Sequence, residues 1–199
     1  GTLSLNAGGT DSGAYSVGTG ATLQFTSGTR TLNTGASVSG AGSVVFGGGT
    51  VTLNDSYNVG GTTTLSGATV GFNGSFASGG AVTVSGGSAS FDTPAASLTF
   101  PNLTVSAGTL TGSDDFIVSG AWTWSGGAIT GSGTLTTNAG VVTTLNSSNA
   151  PTLGRVWDNF GQVNWNAANS NGLSLSAAGA VITNKAGGVV TDPSTILAP

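Results

Sequence analysis

A period of about 20 residues runs through this chain and limits what it can fold into more than any other feature of the sequence. Short alternating segments recur: "TLSL", "TLQF", "SVVF", "TTTL", "AVTV", "NLTV" and "AWTW". They end at Leu5, Phe25, Phe46, Leu65, Val84, Val105 and Trp124, at steps of 20, 21, 19, 19, 21 and 19 residues. The column continues through Leu145 and Trp165. Two residues earlier runs a parallel column of Leu3, Leu23, Val44, Thr63, Val82, Leu103 and Trp122. Residues two apart on a strand share a face, so both columns point the same way.

A second set, Leu32, Leu53, Phe72, Phe91, Gly112 and Gly131, repeats at steps of 21, 19, 19, 21 and 19. A looser third set is Val17, Val38, Val59, Phe76, Leu98, Val118 and Leu135. Three sets per period predict three short strands per turn with Gly-rich corners between them. Each turn then buries its apolar face against the next, which is a β-solenoid. Trp122 and Trp124 take the two inward places held by Leu103 and Val105 one turn earlier, so both are expected in the core. The whole chain, 1–199, reads as one solenoid of nine to ten turns and about 45 Å in length. Turns 1–137 are regular. Turns 138–199 are looser, with strands near 141–145, 152–157, 163–165, 173–176, 180–183 and 188–191. The opening "GTLSLNAGG" starts in mid-pattern, which predicts a fragment of a longer protein.

The repeated "GTLTL"-like strands, Gly corners, outward Ser/Thr and absence of Cys resemble the parallel β-helices of large bacterial surface exoproteins. These are the filamentous-haemagglutinin-like proteins and autotransporter passenger domains. "WSGGAITGSGTLTTNAG" and "LGRVWDNFGQVNW" are the stretches most similar to such repeats. The resemblance, with the general handedness of parallel crossovers, implies an all-β, right-handed parallel β-helix.

Composition excludes several kinds of chemistry. No Cys and no His are present, which removes thiol catalysis and the commonest general base and transition-metal ligand. Three cations against seven acids, all Asp, give a net charge of −4. That leaves no basic stripe for nucleic acid. No apolar run is long enough for a membrane-spanning helix, so no membrane insertion is expected. Hydrophobic residues make up 37% of the chain and charged residues 5%, which opposes disorder despite 36 Gly.

Directly after the second strand of successive turns stand Asn33, Asn54, Asn73 and Asp92, then Ser113 and Ser132. Stacked at one corner about 4.8 Å apart, these predict a structural side-chain ladder. The functional alternative adds Asp55, Asp114 and Asp115 as oxygen ligands for Ca²⁺, but each turn offers few of the carboxylates calcium prefers. A glycosidase needs two carboxylates flanking the scissile bond. Asp114 and Asp115 are adjacent and would point to opposite faces, and the cations Arg30, Arg155 and Lys185 share no column with the acids. No enzyme activity and no cofactor are expected. Arg30 falls among the inward positions, so a local register slip is predicted there, because an unpaired buried charge is prohibitive. Arg155 and Asp158, three apart, are expected to pair.

The outward positions of the second strand form an array of Thr29/Thr31, Thr50/Thr52, Thr69/Gly71, Ser88/Ser90, Thr109/Thr111 and Ala128/Thr130. β-Branched, polar Thr suits exposed strand positions without further purpose. The array also resembles the flat Thr-x-Thr faces of ice-binding solenoids. The leading expectation is a non-enzymatic structural stretch of a secreted or cell-surface bacterial protein: a stalk, adhesin or extracellular fibre component. The rivals are an ice- or glycan-binding face and a polysaccharide-active β-helix enzyme. Few charges and uncapped strand edges predict self-association, end to end or side by side.

Overall fold

In the computed structural model the described residues are all-β, with no helix among them, and stack as a parallel β-solenoid of about 8 turns of about 20 residues. At the spacing of neighbouring strands, eight turns give a stack about 38 Å long. The structure describes residues 1–166 and 172–191, the side chains of 147 and 148 excepted. The expected last turn or frayed end at 191–199 falls outside the described residues after Thr191, and the corner at 166–172 does so between residues 167 and 171.

A typical turn is Thr22–Phe25, Thr29–Leu32 and Ser37–Gly40, each hydrogen-bonded to its equivalent in the next turn. The first column stacks without a slip. Leu5 pairs Phe25, Phe25 pairs Phe46, and the line continues through Leu65, Val84, Val105, Trp124 and Leu145 to Trp165. From the fourth turn the corner between first and second faces straightens into a bulge. Strands then run through it, as in Thr62–Phe72 and Ala81–Phe91.

That corner explains much of the glycine. Gly28, Gly49, Gly87, Gly108 and Gly127 occupy it with φ of 78°, 79°, 72°, 72° and 74°. A Cβ on Gly49 would lie 2.2 Å from the Gly28 carbonyl oxygen. The left-handed conformation and the close stacking both demand glycine there.

The core is a lumen of stacked rings. Phe25 lies on Phe46 at 5.2 Å and Phe72 on Phe91 at 4.6 Å, nearly parallel in both pairs. Trp122 and Trp124 are buried as expected, with centroids 5.7 Å apart, and Trp157 packs edge-on against Trp122 at 5.0 Å. Trp124 also donates its Nε1–H to the Gly126 carbonyl at 3.0 Å. Burial of rings this large is the main source of stability for a chain with so few charges.

The third set corrects the sequence reading. Val38 pairs Tyr15 and Tyr57, and Tyr57 pairs Phe76, while Val17 and Val59 belong to a neighbouring inward column through Gly40. Likewise Leu98 pairs Phe116 and Phe116 pairs Leu135, whereas Val118 stacks on Phe100. The expected column thus mixed two inward rows offset by two residues. It omitted Tyr57, Phe100 and Phe116, all fully buried.

Candidate functional site

The charged side chains bind neighbouring turns together. Arg30 stays in register between Gly9 and Val51, so the predicted slip does not occur. Its guanidinium instead reaches down into the first turn, where Nη1 donates to both Asp11 carboxylate oxygens at 2.9 and 2.7 Å and Nη2 to the Ala7 carbonyl. The hydrogen bond to Asp11 raises the pKa of Arg30. Gly9 leaves room for that head group: a Cβ there would be 3.3 Å from it.

Arg155 does not pair with Asp158, contrary to expectation. It is buried, with Nε donating to the Thr130 carbonyl at 2.8 Å, Nη1 to the Asp114 carbonyl at 2.9 Å and Nη2 to the Gly112 carbonyl at 3.0 Å. Its guanidinium carbon lies 3.9 Å from the centre of the Phe116 ring, a cation–π contact. Burial lowers its pKa to about 10, so it remains charged at neutral pH. Room for it exists because Gly112 and Gly131 follow Phe72 and Phe91 in the second column. A Cβ on Gly131 would be 2.6 Å from Nη2. Asp158 pairs with Lys185 one turn on, at 3.1 Å.

The other aspartates cap corners. Buried Asp114 accepts from the Thr93 N–H at 3.0 Å and from the Thr93 hydroxyl at 2.7 Å. Asp115, exposed on the opposite face, accepts from the Thr134 N–H at 2.6 Å. Asp55 accepts from the Ser56 N–H at 2.7 Å and from the Gly35 N–H of the preceding turn. Among the described residues no three acidic side chains converge on a point where a metal ion could sit. Asp55, Asp114 and Asp115 each accept from at least one main-chain N–H group.

The corner ladder is made of mixed rungs. Asn73 donates its Nδ2–H to Asn54 Oδ1 at 3.0 Å. Asp92 accepts from the Ser113 N–H at 2.9 Å and its hydroxyl at 2.8 Å, and from the Ser90 hydroxyl. Those bonds, Ser90 first, hold the Asp92 carboxyl below its ordinary pKa. Asn33 stands exposed at the start of the row, its N–H bonded to the Asp11 carbonyl.

The hydroxyl array of the second face is assembled in register. Thr29, Thr50, Thr69, Ser88 and Thr109 form one column, which ends at Ala128. Thr31, Thr52, Gly71, Ser90 and Thr111 form the other, and Thr130 follows through its N–H to the Leu110 carbonyl. Gly71 and Ala128 interrupt it, and Ser90 is turned to Asp92. An unbroken column made of Thr alone lies on the first face and was not anticipated. Thr64, Thr83, Thr104, Thr123 and Thr144 pair in sequence across five successive turns. Thr123 and Thr144 are exposed and the other three half-buried. Its sequence signal is the residue between the two inward positions of "TTTL", "AVTV", "NLTV", "AWTW" and "VTTL", which is Thr each time.

Two cavities open at the periphery of the stack. A cavity of about 370 Å³ opens at the first turn between Leu3, Val17 and Leu23, and one of about 190 Å³ lies beside Val142, Phe160 and Val189. Neither is lined by a charged side chain. No family model, curated protein or solved structure matches the chain. The fold is a β-solenoid repeat.

Proposed function

We propose that this chain is a non-enzymatic rod segment of a secreted or cell-surface bacterial protein, serving as a stalk, adhesin or extracellular fibre component. The observation that carries the reading is the use of charge. All three cations and six of the seven aspartates bond to neighbouring groups, in every case including a group on another turn; the seventh, Asp192, lies outside the described residues. Side chains committed in this way stiffen a stack, and a solenoid converts chain length directly into reach. The likeness of the repeats to bacterial exoproteins supplies the extracellular setting. Small-angle scattering should give a stiff particle about 38 Å long. Antibody to the chain should label intact source cells, and acidic polysaccharides should pass unchanged. Turnover of such a polysaccharide, or label found only inside the cell, would overturn the reading.

A second reading, a flat binding face for ice or surface glycans, is favoured by the Thr64–Thr144 column. None of its five hydroxyls is bonded to another described residue. Thermal hysteresis or glycan-array signal that disappears in Thr104→Tyr would replace the rod reading with this one. The uncharged Ser/Thr faces also suit side-by-side packing of copies, and open strand edges suit end-to-end stacking. Sedimentation across concentration tests both, and added salt should leave such assemblies intact.

A further inference from the structure

Asn73 and Gly74 form the one Asn-Gly pair among the described residues. Asn73 is exposed at a corner, while Gly74 is buried beneath the preceding turn. A Cβ at position 74 would lie 2.0 Å from the Asp55 carbonyl oxygen, so the stacking of turns admits only glycine after Asn73. Glycine is also the residue that leaves its main-chain nitrogen least shielded from the preceding side chain. The Gly74 N–H donates to the Leu53 carbonyl at 3.0 Å, but the Asn73 N–H shares that same oxygen at 2.9 Å. The nucleophile is thus restrained by half of a shared acceptor, and local opening of one corner frees it.

We propose that Asn73 is a self-modification site: its side-chain amide cyclises onto the Gly74 nitrogen, and the acid formed on hydrolysis splits the corner ladder. The Gly74 nitrogen loses its proton to solvent base and attacks Asn73 Cγ, forming a C–N bond. The Cγ–Nδ2 bond breaks, and the nitrogen leaves as ammonia after taking up a proton. Water then opens the five-membered ring. Addition at Cγ gives aspartate. Addition at the main-chain carbonyl gives isoaspartate, with the backbone rerouted through Cβ and Cγ. Nothing is oxidised or reduced, and the net change is amide plus water to carboxylate plus ammonium.

The product does not fit its place. Position 73 sits between Asn54 and Asp92, since Phe72 pairs both Leu53 and Phe91. A carboxylate there cannot donate to Asn54 Oδ1 as the amide does. It also stands about one strand spacing from Asp92, a like charge. The isoaspartate adds a methylene to the main chain just before a glycine that already abuts Asp55.

The test holds the full folded chain in mildly alkaline buffer at body temperature, with peptide mass mapping over time. Asn73 should convert to a mixture of Asp and isoAsp roughly tenfold faster than exposed Asn33, Asn54 and Asn102, whose following residues carry a Cβ. Asn73→Gln should abolish the conversion, and Asn73→Asp should lower the melting temperature, with partial recovery in high salt. If the denatured chain converts at Asn73 while the folded chain does not over the same period, the site is closed and the proposal falls. An Asn73→Asp chain as stable as the parent overturns the splitting of the ladder.

Discussion

The turns before residue 137 and those after it solve the same packing problem with different side chains. Before it, two pairs of phenyl rings from successive turns lie flat on one another, and the buried polar side chains are confined to Thr63, bonded to the Tyr57 hydroxyl, and the Thr93–Asp114 pair. After it, Thr137, Thr143, Arg155 and Asn159 are all buried. Thr137 donates to Asn159 Oδ1 at 2.7 Å and accepts from Trp157 Nε1 at 3.1 Å. Asn159 Nδ2 in turn donates to the Gly161 carbonyl and to Asn184 of the next turn. A phenyl stack specifies little about register, because any large apolar ring fills the place. A polar network is satisfied in one register only, and costs stability if any member is lost. The later turns also leave apolar side chains outside, with Val142, Phe160, Leu175, Val181, Val189 and Val190 all exposed. Regular turns hold by area, and irregular ones by specific partners.

The sharpest way to break that contrast is at the joint. Trp124 is fully buried between Val105 and Leu145, within reach of Trp122 and Trp157. Trp124→Ala should lower stability by about 3–5 kcal/mol, the range for truncating a large buried aromatic. Chemical unfolding measures it, and a change near zero would show that the tryptophans do not carry the core. A smaller effect tests the polar half. Thr137→Val keeps shape but leaves Trp157 Nε1 and Asn159 Oδ1 short of a partner, at about 1–3 kcal/mol. The same Thr→Val exchange at Thr143, whose buried hydroxyl has no partner among the described residues, should cost nothing or stabilise the chain. Equal losses at the two sites would erase the distinction between them.

The two regions were also unequally legible in the sequence. The columns through Leu5 and Leu32 stood out because an apolar side chain recurs at nearly every position, giving way only to Gly112 and Gly131, and the intervening strand parity is fixed. The third set failed where two inward rows lie two residues apart on one face. Parity cannot separate them, so Val59 stood in for Tyr57 and Val118 for Phe116. Both misplaced cations failed for a different reason. Arg155 is held by carbonyl oxygens, which every residue carries and which therefore leave no mark in the sequence. Arg30 is held by Asp11 across a turn whose glycine, Gly9, makes the space. The corner ladder was visible as a row of small polar residues, but its rungs depend on which neighbour donates. The Thr64–Thr144 column lies between the inward columns, where Thr is common on any exposed strand face and so carries little signal beside the large apolar residues.

The smallest effect separates ladder from core by pH. Asp92 is held below its ordinary pKa by the Ser90 hydroxyl and then by Ser113. No such holding group exists in the unfolded chain. The charged form is therefore favoured by folding, and its contribution is complete above the ordinary carboxylate value. It fades as pH falls through the lower native value. Asp92 is exposed, so solvent screening keeps the contribution below about 1 kcal/mol. Urea unfolding of the parent and of Asp92→Asn, between neutral pH and the acid side of the carboxylate range, should show a shallower decline for the variant. Asn retains an oxygen for the Ser113 N–H but has no charge to lose, so the two curves should converge at the acid end. Curves that stay parallel would mean that the carboxylate charge contributes nothing to the corner, and that its hydrogen bonds alone hold the rung.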